Sequence, residues 1–157
     1  MSGGLFYDRV AEDLSPLKPS SMAHTEVLIL EDIPRLRDVL VNFFTANQLF
    51  CRILEPKSAA RGAFDVFDEL TELLDSKKYG MVVINKEQWG MLGGVDLVTN
   101  LRFRKIPFIV LSETNYKAEE LGAHAAIHLN ISRMWDMEVF GKAVAEIKLP
   151  KITKVSN

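Results

Sequence analysis

One cysteine, three scattered histidines, no surplus of either charge and no long apolar run: each shortage removes a class of function. A lone thiol cannot close an internal disulfide, and Cys51 sits in the apolar run LFCRIL, which suits a buried small hydrophobe in a reducing compartment. His24, His124 and His128 follow no metal-ligand spacing and have no carboxylate pair beside them, so neither a zinc site nor a hydrolytic centre is expected. The net charge of −2, without a basic stripe, argues against a dedicated nucleic-acid binder. No stretch approaches the roughly 20 apolar residues of a membrane span, and the N-terminus lacks the charged start and apolar core of a signal peptide. The expected setting is soluble and cytoplasmic. The glycines of WGMLGG fit neither GxGxxG nor P-loop spacing and read as turn residues, not a nucleotide cradle.

What is present suffices for one domain. A chain of 157 residues, 48% of them hydrophobic, can bury a core without disulfide or metal staples. Residues 1–24, with Ser-Gly-Gly at the start and SPLKPSSMAH at the end, read as a flexible leader or a short docked helix carrying Leu5, Phe6, Val10 and Leu14. Residues 25–149 form the domain, and 150–157 a polar, basic tail.

Apolar runs of strand length fall at Val27 to Leu30, Leu49 to Leu54, Met81 to Ile84, Ile106 to Leu111 and Ala125 to Leu129. Helical periods lie between them. Pro34 opens the first at a position where its missing N–H costs nothing, and Leu36, Val39, Leu40, Phe43 and Phe44 recur on one face. Ala59 to Ser76 carries Ala63, Val66, Phe67, Leu70 and Leu74, Val95 to Arg104 gives a short third helix, and Asn115 to Leu121 supports only one or two turns. A last helix runs to about Lys148, capped by Asn130 or Ser132. This alternation predicts an α/β fold: a flavodoxin-like, five-stranded parallel sheet with helices on both faces, right-handed crossovers and a shortened fourth helix.

In such sheets chemistry collects outside the carboxyl ends of the strands, which makes the strand ends the first candidates for a site. Here they are Glu31-Asp32 after the first strand, Asn85 after the third and Ser112 after the fourth. Together with VLILED before an Ile-Pro helix start, and with Gly93 in the loop after the third strand, they give the chain from about Thr25 to Leu149 a pattern that resembles the receiver domain of bacterial response regulators. The resemblance implies a two-component signalling fold in which an acidic pair binds Mg²⁺ beside a phosphoaccepting aspartate, with a Ser or Thr closing the fourth strand and a Lys the fifth.

The departures from that pattern carry the functional expectation. Asn85 stands where the family has its acceptor, and an amide of negligible basicity cannot attack phosphorus as a carboxylate can. Leu129 stands at the Lys position, Asn130 at the Pro that usually follows, Ala126 at the aromatic switch residue, and Trp89 at the Pro of the loop after the third strand. Glu31, Asp32 and Ser112 remain of a degenerate phosphorylation site, so ordinary phosphorelay is not expected. Two readings of the acids stay open. Glu31, Asp32 and the Asn85 amide oxygen could hold Mg²⁺ or Ca²⁺, because hard cations accept mixed carboxylate and carbonyl ligands. Alternatively, Asp32 caps the first helix and Glu31 is solvated near its positive end. Ser112 could contact a phosphoryl oxygen or simply bond local backbone.

On the last helix Val139, Ala143 and Ile147 make the core stripe, while Met134, Trp135, Met137, Phe140 and Val144 widen the apolar arc past the usual span. Met and aromatic residues favour interface cores, so this arc is a candidate partner surface, with a homodimer as one outcome and cover by the leader as the other. Trp89 is either a packed lid or an exposed anchor. The expectation is a non-catalytic pseudo-receiver that acts on a protein partner independently of phosphorylation. The alternative is a flavodoxin-like domain holding a metal or small ligand in the Glu31, Asp32, Asn85 crevice.

Overall fold

The computed structural model describes residues 24–54, 63–92, 94–130, 132 and 134–151. The expected leader helix, the first turn of the Ala59 to Ser76 helix, Gly93 and most of the tail lie outside these residues.

Among the described residues seven strands and six helices follow in chain order: β1 (Glu26–Leu30), α1 (Pro34–Ala46), β2 (Cys51–Ile53), α2 (Ala63–Asp75), β3 (Tyr79–Asn85), α3 (Lys86–Trp89), β4 (Met91–Leu92), β5 (Val95–Asp96), α4 (Leu97–Arg104), β6 (Phe108–Ser112), α5 (Ala118–Leu121), β7 (Ala125–His128) and α6 (Met137–Ile147). The main sheet runs in the order β2-β1-β3-β6-β7, with every neighbouring pair parallel. This is the flavodoxin-like order. β3 is the middle strand, so its carboxyl end opens into the crevice between the loops that follow β1 and β6.

Strand period 2 splits the core into two layers. Val27, Ile29, Met81, Val83, Ile109 and Leu111 face α1 and α6, where Leu36, Leu40, Phe44 and Phe140 meet them. Leu28, Leu30, Val82, Ile84, Phe108 and Val110 face α2 and α4, against Leu70, Leu74, Leu97 and Leu101. Cys51 is buried, and desolvation pushes its thiol up to about 12, which keeps it in the unreactive protonated form.

Several local features differ from the expectation. Val95 and Asp96 do not begin the third helix; they pair antiparallel with Met91 and Leu92 in a small hairpin. Gly94, at φ +85, supplies its turn. The helix starts at Leu97, two residues later than expected, because the Asp96 carboxylate caps it, accepting from Val98 N at 3.0 Å. Asp136 likewise caps α6 through Glu138 N and Val139 N. Asn130 does different work, closing a loop by accepting from Met134 N at 3.0 Å and donating its own N–H to Met134 O at 2.8 Å. The short α5 agrees with expectation: it is a single turn with no buried residue.

The largest correction concerns the last helix. Phe140 is fully buried, and Trp135, Ala143 and Val144 nearly so, whereas Val139, expected in the core stripe, is 51% exposed. The helix is turned about one residue from the expected facing. Phe140 stacks edge-on against Phe43 (ring centroids 5.1 Å apart) and Phe44 (6.0 Å), and Trp135 tilts onto it at 5.7 Å. Each such aromatic pair adds roughly 0.5–1.5 kcal/mol beyond area burial. Met134 and Met137 pack half-buried on the same cluster. Of the five residues assigned to a partner surface, Trp135, Phe140 and Val144 thus bury their apolar area inside the domain, while Met134 and Met137 keep part of theirs exposed.

Candidate functional site

Thr25, Glu31, Asn85 and Ser112 are the buried polar residues among those described, and three of the four close the strands that meet at the crevice. Strand register brings them together: Asn85 pairs with Leu111, one residue before Ser112, and Ile84 pairs with Leu30, one residue before Glu31. Burial of polar groups here requires partners. The Asn85 amide donates from Nδ2 to Glu31 Oε1 at 2.8 Å, and the N–H of Ile33 donates to Glu31 Oε2 at 3.1 Å.

Both Glu31 oxygens are thus engaged, and Glu31 is neither solvated nor flanked by a capping Asp32. The α1 N-cap is Ile33, without a side-chain cap, and Pro34 fills the first turn. Burial holds the Glu31 carboxyl above its ordinary range despite the Asn85 hydrogen bond. Asp32 stays largely exposed at the mouth, with its carboxyl also raised by desolvation on its inner side and lowered by Arg37. Its backbone N–H donates to Gln88 Oε1 at 2.9 Å. Toward a divalent cation this donor set is thin. Asn85 presents its NH₂ to Glu31, the Glu31 oxygens already accept hydrogen bonds, and no group of three or more His, Cys, Asp or Glu side chains among the described residues is placed to hold a metal.

Ser112 does not stop at local backbone. Its hydroxyl accepts from Thr114 N at 3.0 Å and donates to Glu87 Oε2 at 2.7 Å, while Glu113 N donates to Glu87 Oε1 at 2.6 Å. His128 meets the carbonyl oxygen of Glu113 at 3.0 Å, so its Nε2 carries the proton. Lys86 places its ammonium 5.1 Å from the centre of the Tyr116 ring. The Leu129 side chain packs in the α1/α6 core, while its N–H is bonded to Ser112 O. Trp89 is a packed residue at 2% exposure, in the core layer under α2 and α4.

The residues that sequence reasoning missed are Lys86, Glu87 and Gln88. They open the single turn α3 directly after Asn85: Lys86 and Glu87 reach the loop after β6, and Gln88 the loop after β1. The available signal was the polar triplet itself: three long side chains following a buried strand end are within reach of whatever loops flank it.

No protein-family model and no curated protein sequence matches the chain. Solved structures do. The N-terminal domain of NsrR, a nisin resistance regulator described as a lantibiotic response regulator, aligns at a TM-score of 0.55 with 16% identity, over 78% of this chain and 97% of its own. An orphan response regulator of H. pylori gives 0.54 at 14% identity, over 80% and 97%. The BeF3-activated N-terminal receiver domain of Klebsiella pneumoniae RstA gives 0.53 at 17% identity, over 78% and 98%.

Proposed function

With the response-regulator receiver fold as the premise, we propose that this chain is a non-enzymatic, phosphorylation-independent signalling module that acts through protein–protein interaction, a pseudo-receiver. The observation that carries the reading is Asn85. It ends the central strand, where the fold collects its chemistry, and it donates its amide to buried Glu31 at 2.8 Å. A group with no basic lone pair, already engaged with the nearest carboxylate, has no nucleophile to offer. The absence of a cation at Leu129 points the same way, since nothing there would neutralise a phosphoryl group.

The test is incubation with acetyl phosphate and Mg²⁺ followed by intact mass measurement. The expected spectrum is that of the unmodified chain; an acid-labile phosphate adduct overturns the reading. The partner surface lies elsewhere than on the buried arc of α6. Binding of a metal at Glu31, Asp32 and Asn85 is checked in the same sample by thermal melting with Mg²⁺ or Ca²⁺, where no shift is expected because Asn85 turns its NH₂ toward Glu31 and each Glu31 oxygen already accepts a hydrogen bond.

A further inference from the structure

We propose that the Glu87 carboxylate is the built-in occupant of an anion cradle at the end of β6, and that it fixes loop 113–117 in one conformation. Two donors on adjacent residues, the Ser112 hydroxyl and the Glu113 N–H, converge on the two oxygens of one carboxylate at 2.7 and 2.6 Å. That pairing of a hydroxyl with a backbone N–H serves any oxyanion. Ser112 is 2% exposed, so its hydroxyl depends on this partner.

The loop is then held from several directions. Glu113 is pinned at its N–H by Glu87 and at its carbonyl by His128, while Tyr116 lies under the Lys86 ammonium. Gln88, on the same turn, secures the loop after β1 through Asp32 N. Because Glu87 is part of the chain, the anion cannot leave, and the loop has no second, empty state to visit. The inference rests on the phosphorylation-independent reading and says how that independence is achieved: a permanent charge removes the need for a transient one.

The experiment is residue-resolved amide hydrogen exchange on the wild-type chain and on Glu87→Ala, Glu87→Gln and Ser112→Ala. In Glu87→Ala the Glu113 amide is expected to exchange faster by about tenfold or more, while Val83 and Ile109 in the central strands keep their wild-type rates. Glu87→Gln has a smaller effect in the same direction, because one amide oxygen remains as acceptor, and it serves if the alanine variant fails to fold. Combining Glu87→Ala with Ser112→Ala speeds Glu113 no more than Glu87→Ala alone, as one shared arrangement requires. Unchanged Glu113 exchange in a folded Glu87→Ala chain overturns the clamp and leaves the proposed function standing. Phosphate uptake by the wild-type chain overturns that function, whatever the exchange rates.

Discussion

The crevice and the face of α6 hold the same domain together by opposite means. Around Asn85 a few directional bonds join residues from separate loops: Glu31 to Asn85, Ser112 and Glu113 to Glu87, Asp32 to Gln88. Around Phe140 the side-chain contacts are those of rings and aliphatic groups packed from α1, α6 and the sheet. The Trp135 indole N–H even lies buried without a hydrogen-bond partner among the described residues, and packing carries that cost. Stability is therefore concentrated in the aromatic cluster, whereas conformation of the loops is set in the crevice. A change in the first should unfold the chain, and a change in the second should move parts of it.

The sharpest way to break this contrast is Phe140→Ala. Emptying a fully buried aromatic site is expected to cost about 3–5 kcal/mol by urea denaturation, with no change of assembly state in light scattering. A change of assembly at unaltered stability would put Phe140 on an interface and reverse the assignment.

Next in size is Asn85→Asp. It replaces a donor 2.8 Å from buried Glu31 with a second carboxylate, and at about pH 7 the expected loss is about 2 kcal/mol, in the range of one hydrogen bond to a charged group. The pH dependence follows from the direction of the Glu31 shift. A carboxyl raised above its ordinary 4.5 contributes stability that is fully present below that value and is lost as pH rises through the folded value. A second carboxylate raises it further, so the penalty shrinks on acidification, when the pair shares a proton. A penalty that is the same at about pH 5 and about pH 7 would mean that the two groups do not interact.

The smallest effect belongs to Val139→Ser, one residue from Phe140 but 51% exposed. It is expected to change stability by no more than about 0.5 kcal/mol, and a larger loss would show that the exposed face of α6 is covered in solution.

How legible each region was depends on what kind of pattern makes it. Strands such as VLIL and MVVI announce themselves, because a strand covered on both faces has to be apolar throughout. The one-turn α5 was equally legible, since seven residues without a stripe cannot build more. The facing of α6 was not. Val139, Ala143 and Ile147 have helical spacing, and so do Phe140, Ala143 and Val144, so a wide apolar arc fits either choice. The rings of Phe43 and Phe44 made that choice from another helix.

The crevice divides in the same way. That the central strand ends on an amide, Asn85, could be read from the sequence, because the chemistry of an amide does not depend on its surroundings. What fills its place could not: Glu31 and Asn85 are 54 positions apart, Glu87 and Ser112 are 25 apart, and only parallel strand register makes them neighbours. The sequence by itself determined the sheet, its layers and the amide that ends the central strand, since these follow from local period and from the chemistry of single residues. Only the tertiary structure decided that Lys86, Glu87 and Gln88 tie down the loops beside the crevice and that α6 turns Phe140 inward, because hydrogen bonds of about 3 Å and ring contacts are set by where whole elements pack, not by the order of residues within them.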